Sequence, residues 1–215
     1  RDLLDEIRHD ARETKGWTGR DRFSERVMAA LGRVPRHEFV LPEDRPIAYI
    51  NRPRGIGHGQ TISQPYIVAL MTDCLDLQPT DRVLEIGCGS GYQAAVLAEI
   101  CAEVFSVEAI EELANCARAR LERLGYANVS VRYGDGYAGW PEQAPFDAVI
   151  VTAAPEAIPE TLLDQLKPGG RMVVPVGAAY TTQSLILCRK TETGDIRQRD
   201  ILPVAFVPMF HRKTE

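Results

Sequence analysis

The 215-residue sequence has little that would tie it to a membrane, a metal or a disulfide framework. Its longest largely apolar stretch, Ala148 to Ala154, falls far short of the roughly 20 residues that cross a bilayer. The charged start from Arg1 to Arg12 contains no apolar signal core, so a soluble, non-exported, cytoplasmic chain is expected. Cys74, Cys88, Cys101, Cys116 and Cys188 are odd in number, irregularly spaced and without a Cys-x-x-Cys pair, which fits reduced thiols rather than disulfides or zinc. His9, His37, His58 and His211 are too dispersed for a helix-borne ligand pair, and no metal is expected. A block of Lys and Arg is also missing. With 25 basic against 30 acidic residues and a net charge of −5, the chain is not expected to bind nucleic acid through phosphates.

What is present suffices for one ordinary globular domain, expected to act as a monomer. The character changes near residue 80, giving a helical and loop segment over 1–80 and a core over 81–215 within one compact unit. In the first part, Phe23, Val27, Met28 and Leu31 recur at helical spacing and Pro35 stops the helix. Residues 42–64 are rich in Pro and Gly and read as loop, after which Tyr66 to Leu77 resumes a helical pattern.

From Arg82 onward short apolar runs alternate with amphipathic stretches. The pattern predicts strands over 82–86, 104–108, 129–133, 147–152 and 171–176, and helices over 92–100, 110–124 and 159–166. Such alternation buries both faces of a mostly parallel sheet, which makes the fold α/β, doubly wound and Rossmann-like. Residues 184–189 and 196–207 flank the turn Thr193-Gly194-Asp195 and predict an antiparallel pair at the C-terminal sheet edge.

The first predicted strand runs into Gly87-Cys88-Gly89-Ser90-Gly91 and then directly into a helix. In an open α/β sheet this turn lets a nucleotide-like ligand approach the backbone at a helix N-terminus. Glu108 closes the next strand, about 20 residues on, where a carboxylate can accept from two ribose hydroxyls. The dinucleotide fingerprint Gly-x-Gly-x-x-Gly is not met, because the third glycine arrives one residue early. Glu85 adds negative charge, which would repel a pyrophosphate and favour a cationic ligand carrying an amino group. That chemistry fits S-adenosylmethionine better than NAD. After the third strand, Asp135 and Gly136 are placed to meet an adenine edge, although Asp is also a common turn former.

Glu85-Ile86-Gly87-Cys88-Gly89-Ser90-Gly91 resembles the first motif of the class I methyltransferases. The resemblance implies a carboxylate near the methionine part of the cofactor, glycines under the ligand and Glu108 on the ribose. Leu166-Lys167-Pro168-Gly169-Gly170-Arg171 resembles a further segment of that class and reads as helix end, turn and strand start. Amine methyltransferases of nucleic acids often carry Asn/Asp-Pro-Pro-aromatic after the fourth strand; here stands Thr152-Ala153-Ala154-Pro155.

Three further segments narrow the class. Val34-Pro35-Arg36-His37-Glu38-Phe39-Val40, Gly59-Gln60-Thr61-Ile62-Ser63-Gln64-Pro65-Tyr66 and Leu202-Pro203-Val204-Ala205-Phe206-Val207-Pro208-Met209 together resemble the protein-L-isoaspartate O-methyltransferases. The resemblance runs from Phe23 to Met209. It implies methyl transfer from S-adenosylmethionine to the α-carboxyl of L-isoaspartyl, and also D-aspartyl, residues of damaged proteins. S-adenosylhomocysteine would be the other product, and the ester would close to a succinimide that hydrolyses partly to aspartate. It further implies that Gln60, Thr61, Ile62 and Ser63 line the cofactor, with Ser63 orienting the substrate carboxylate as the catalytic residue. By its position alone, Ser63 reads more often as a turn or helix N-cap than as a catalytic residue. Tyr66 departs from the pattern, since some animal members carry His there, and His58 reads equally as a site residue or a loop residue.

The chemistry is compatible with these residues. A carboxylate with an ordinary pKa near 4 is already ionised at neutral pH, so the acceptor needs no strong general base. The backbone around Phe206 and Val207 is expected to present an edge to an extended peptide, the alternative being a plain core strand ended by Pro208. An NAD(P) oxidoreductase, a small-molecule or RNA methyltransferase and a binding module without chemistry are the competing classes.

Overall fold

The computed structural model describes residues 2–211. Two helices open the chain: α1 (Leu3–Glu13), capped by the Asp2 carboxylate on the Leu4 N–H, and the single turn α2 (Lys15–Thr18). Leu3, Ile7 and Ala11 fall at four-residue spacing on α1 and form its buried stripe. In α3 (Glu25–Arg33) the Ser24 hydroxyl accepts from the Val27 N–H, and Val27, Met28, Ala30 and Leu31 are buried as their spacing predicts. Two 3-10 turns follow, Arg36–Glu38 and Pro42–Ile47.

The stretch expected as loop up to residue 64 holds a small antiparallel hairpin, β1 (Arg54–Gly57) and β2 (Gln60–Ile62). Gly57, His58 and Gly59 all take left-handed φ at its tip, at 88°, 53° and 71°. Its strands are too short and glycine-rich to show period-two hydrophobicity, which hides the hairpin from a sequence reading. Then comes α4 (Pro65–Cys74), shorter than expected because Asp76 turns left-handed at φ 49°.

The core alternates as predicted: β3 (Arg82–Ile86), α5 (Tyr92–Ala98), β4 (Glu103–Glu108), α6 (Glu111–Arg123), β5 (Val129–Tyr133), β6 (Phe146–Val151), α7 (Glu160–Asp164) and β7 (Leu166–Val176). The last strands are β8 (Gln183–Lys190) and β9 (Ile196–Val204). Sheet order is β5-β4-β3-β6-β7-β8-β9, parallel through β7 and antiparallel across β7, β8 and β9.

The segment read as helix end, turn and strand start differs. β7 already pairs at Leu166 with Phe146, and its register then jumps so that Ala148 faces Arg171. The residues between bulge out, with Gly169 at φ 76°. Strand β9 ends at Val204 rather than 207, and the remaining chain to His211 runs on outside the sheet apart from one bridge between Ala154 and Pro208.

Connections run from β3 outward to β5, and then the chain returns to the other side of β3 for β6. That reversal leaves a crevice beyond the carboxyl ends of β3 and β6, where open α/β sheets bind ligands. One continuous apolar cluster joins residues of α1, α3 and α4 to α5 and one face of β3, including Ile7, Leu31, Leu70, Val83 and Leu97. A second, with Leu84, Ile86, Phe146 and Leu162, fills the opposite face.

Glu85 shares the first face of β3 with Val83 and is wholly buried. Its Oε2 accepts a short hydrogen bond from the Ser106 hydroxyl on the paired strand, and its Oε1 has no partner among the described residues. Burial pushes its pKa up from 4.5 to about 8, although the Ser106 bond pulls the other way. The folded chain therefore keeps a proton that the unfolded chain releases above about 4.5, and stability falls as pH rises from there to about 8. Glu85→Gln, neutral at every pH, should flatten this dependence in thermal melts. Identical pH profiles for parent and variant would contradict the assignment.

Candidate functional site

The crevice at the strand reversal is a cleft lined by the ends of three strands: Ile86 and Gly87 from β3, Glu108 from β4, and Thr152 and Ala153 after β6. Its glycine floor is a packing necessity. Gly87 has φ 93°, and a Cβ there would stand 2.5 Å from Thr152 Oγ1. The Thr152 hydroxyl donates to the carbonyl of Gly87 at 2.6 Å and so fastens the loop to β6. Gly91, at φ 89°, caps α5 and packs against Leu121 and Ala117 of α6.

Glu108 is buried and lies in the cleft. Its Oε2 accepts from the Gly89 N–H at 2.7 Å and its Oε1 from the Ile110 N–H at 3.0 Å. Burial raises its pKa, and these amide bonds oppose the rise. Each oxygen retains a second lone pair for a ligand hydroxyl. Gly136 also lines the cleft, where a Cβ would meet Ile86 Cγ2 at 2.6 Å.

Two expected ligand contacts are placed elsewhere. Glu85 points away from the cleft toward Ser106, because its neighbours Leu84 and Ile86 occupy the other face of β3. Asp135 does not reach the cleft either, since its Oδ1 accepts from the Tyr137 N–H at 2.9 Å and its Oδ2 meets His211 Nδ1 at 2.9 Å. It secures the turn that presents Gly136.

The β1–β2 hairpin covers the glycine loop, with the Ile56 Cδ1 only 3.2 Å from where a Gly89 Cβ would stand. Gln60 and Thr61 of β2 therefore line the cleft. Ile62 and Ser63 instead border a narrow cavity shared with Gly87, Gly89 and Thr152. On the far side of the same strand lies a cavity of about 450 Å³, bounded by Thr61, Ser63 and Tyr66 on one side and Leu202, Val204 and Phe206 on the other. Thr61 borders all three spaces, and Ser63 borders the last two. The Ser63 hydroxyl makes no hydrogen bond with another described residue and does not cap α4, whose cap position is Gln64.

Arg36 sets this strand in place and was not singled out in the sequence. It is wholly buried, donating from Nε to the Ala48 carbonyl at 2.9 Å and from Nη2 to the Ser63 carbonyl at 2.9 Å. Tyr66 is fixed by the Asn51 side chain on its N–H and by Thr14 on its hydroxyl, at 3.0 and 2.5 Å. Little in the sequence signals the buried place of Arg36, because it is followed directly by the polar pair His37 and Glu38.

The tail is arranged differently from a free peptide edge. Phe206 turns both backbone groups to Gln183, its N–H donating at 2.7 Å and its carbonyl accepting at 3.3 Å. The Val207 carbonyl accepts from the Ala154 N–H at 2.8 Å. Phe206 thus meets the large cavity through its side chain, and Val207 lines the cleft together with Met209 and Phe210, which the sequence reading missed. His58 is exposed at the hairpin tip, near enough to Glu108 to act on it electrostatically. Among the described residues no group of three or more His, Cys, Asp or Glu side chains is arranged to hold a metal ion, and no helix is long and apolar enough to cross a membrane.

Comparison with known proteins adds an independent line. The sequence model of a family described as protein-L-isoaspartate (D-aspartate) O-methyltransferase matches residues 18–214. A protein named protein-L-isoaspartate O-methyltransferase 2 from Polaromonas is 58% identical over 207 residues, covering 96% of this chain and 98% of that protein. One named protein-L-isoaspartate O-methyltransferase 1 from Cupriavidus necator is 55% identical over 208 residues, covering 97% of this chain and 80% of that protein. A solved structure described as protein-L-isoaspartate O-methyltransferase superposes with a TM-score of 0.80 at 31% identity over 95% of this chain, which spans 65% of that longer protein. A Plasmodium falciparum structure, solved in complex with S-adenosyl-L-homocysteine, shares the fold at a TM-score of 0.78 and 24% identity, covering 98% of this chain and 99% of that one. By the extent and level of these matches, the chain belongs to the protein-L-isoaspartate (D-aspartate) O-methyltransferase family.

Proposed function

We propose that this protein transfers a methyl group from S-adenosylmethionine to the α-carboxyl of L-isoaspartyl residues, and of D-aspartyl residues, in damaged proteins and peptides. The observation that carries this reading is the position of the Thr61–Ser63 segment between the strand-end cleft and a second, larger cavity. A methyl transferase for a peptide needs two such compartments sharing one wall.

The cleft fits the cofactor by the chemistry of its lining. It contains the Glu108 carboxylate and no Lys, Arg or His, so a pyrophosphate would find no counter-charge, whereas a ribose would find an acceptor. Gly87 and Gly89 allow a ligand against the loop backbone, Gly136 faces the adenine, and Gln60 and Thr61 close the cofactor in from the hairpin side, with Ile62 beside them on the narrow cavity. When bound, S-adenosylmethionine supplies an activated methyl on a sulfonium sulfur and is left as S-adenosylhomocysteine.

Everything else is positioning. The Ser63 hydroxyl, unengaged by other described residues, donates to one oxygen of the acceptor carboxylate and so aims the other at the methyl group. No base is needed, because the acceptor is ionised at neutral pH. Holding both reactants in line replaces a bimolecular encounter and lowers the barrier by several kcal/mol, on the order of about 7 where alignment is good. Phe206 and Leu202 offer the peptide apolar contact and Tyr66 closes the opposite wall. Esterification makes the carboxyl a better electrophile, so the neighbouring amide nitrogen attacks the ester carbon and expels methanol without further help from the enzyme, and the resulting succinimide hydrolyses partly to aspartate.

The segment 1–80 brings Ser63 to the core over 81–215. The net charge of −5 and the absence of basic residues from both compartments support protein and peptide partners rather than nucleic acid. Five free cysteines suit a reducing compartment such as the cytoplasm, with the chain acting as a monomer away from membranes.

Labelled S-adenosylmethionine offered with two matched peptides, one isoaspartyl and one aspartyl, should put base-labile label on the isoaspartyl peptide alone. Label on both or on neither overturns the reading. Ser63→Ala should leave S-adenosylhomocysteine affinity within about twofold and lower kcat/KM for the isoaspartyl peptide by about 10- to 100-fold, as expected for a lost orienting hydrogen bond to a charged group. An unchanged kcat/KM would remove Ser63 from the mechanism.

A further inference from the structure

We propose that residues 207–211 form a strap over the cofactor cleft, and that His211, clasped to Asp135 and stacked on Tyr137, is a positioning residue that sets how long cofactor and product stay bound. The inference rests on the reading of this cleft as the S-adenosylmethionine site.

The strap is fastened on two sides of the cleft. On the β6 side, the Ala154 N–H donates to the Val207 carbonyl and the Met209 N–H donates to the Ala154 carbonyl, both at 2.8 Å, around the bridge between Ala154 and Pro208. On the β5 side, His211 Nδ1 meets Asp135 Oδ2 at 2.9 Å. The His211 ring stacks on Tyr137 with centroids 4.2 Å apart and planes inclined by 24°. The Tyr137 hydroxyl also donates to the Met209 carbonyl at 3.3 Å.

Sheet order makes the geometry a crossing. β6 and β5 are separated by β3 and β4, so a segment tied after β6 and after β5 passes over the carboxyl ends that build the cleft. Three strand spacings are about 14 Å. From Pro208 to His211 an extended backbone reaches about 10 Å, and the imidazole supplies the remainder. Met209 and Phe210, between the two fastenings, line the cleft itself. A ligand lying on Gly87 and Gly136 would leave past them.

The clasp is the weaker fastening. Its His211 side chain is 73% exposed, whereas the other end is backbone pairing against the sheet. The strap therefore opens from the His211 end, and the Asp135 carboxylate serves as the catch because its other oxygen is fixed by the Tyr137 N–H.

The test is the dissociation rate of S-adenosylhomocysteine from the full chain, followed by stopped-flow displacement. His211→Ala should speed dissociation about tenfold, the sum of one exposed polar contact to a carboxylate and one ring stack, and raise the KM for S-adenosylmethionine with the KM for the isoaspartyl peptide unchanged. His211→Phe keeps the stack without the Asp135 contact and should restore part of the slow dissociation. A merely structural role would shift both KM values together. Dissociation from His211→Ala within twofold of the parent overturns the clasp while leaving the cofactor site standing. A parent that binds no S-adenosylhomocysteine overturns both.

Discussion

A single buried guanidinium organises the active face. Arg36 has no exposed surface and, among the described residues, no carboxylate partner. Its charge is instead spread over the carbonyls of Ala48, Arg52 and Ser63 and over the ring face of Tyr92, 4.7 Å from the guanidinium carbon. Burial without an anion lowers its pKa, yet an arginine stays protonated, so the cost is met by these acceptors and not by losing the proton. Its neighbours come from separate parts of the chain: the turn before the hairpin, the strand leading into α4, and the helix that follows the glycine loop. Holding Ser63 by its carbonyl leaves the hydroxyl of that residue uncommitted. A lysine could not reproduce this, having one point of donation where the planar fork spans several carbonyls.

That anchor explains how two chemically distinct spaces come to share one thin wall. The cleft follows from sheet topology and exists in any chain with this strand order. The larger cavity does not. It arises where the N-terminal helices and the end of β9 with the tail after it meet the hairpin, and it brings Leu202 and Phe206 opposite Ser63 and Tyr66. Both spaces lack cationic side chains, so an acceptor carboxylate finds its counter-charge in the bound cofactor and loses that attraction once the methyl group has moved. Loss of that attraction, beside the Asp10 and Glu13 side chains that also border the larger cavity, eases release of the neutral ester.

The core was legible because short continuous apolar runs alternate with helical stretches of period 3.6, and because the backbone turn at Gly87, Gly89 and Gly91 and the acid Glu108 at the next strand end form a local pattern. Glu85 shows the limit of that reading. In a strand buried on both faces no polar side marks orientation, and only the placement of Leu84 and Ile86 in the second cluster shows that Glu85 faces Ser106. Asp135 was expected at the ligand but is engaged elsewhere, because one of its partners, His211, comes from far along the chain. The hairpin, the bulge after Leu166 and the turning of Phe206 toward Gln183 all depend on contacts between distant segments, for which short, glycine-rich or irregular stretches give no periodic signal. Arg36 is the same case at its sharpest, because a charged residue beside His37 and Glu38 reads as surface until its acceptors are known.

The most direct measurement is a crystal structure of the chain with S-adenosylhomocysteine and an isoaspartyl peptide. The account predicts the nucleoside over Gly87 and Gly136 with its ribose on Glu108, and the peptide α-carboxylate within hydrogen-bond reach of Ser63 Oγ in the larger cavity. A peptide carboxylate bound away from Ser63, or a cofactor outside the strand-end cleft, would contradict it.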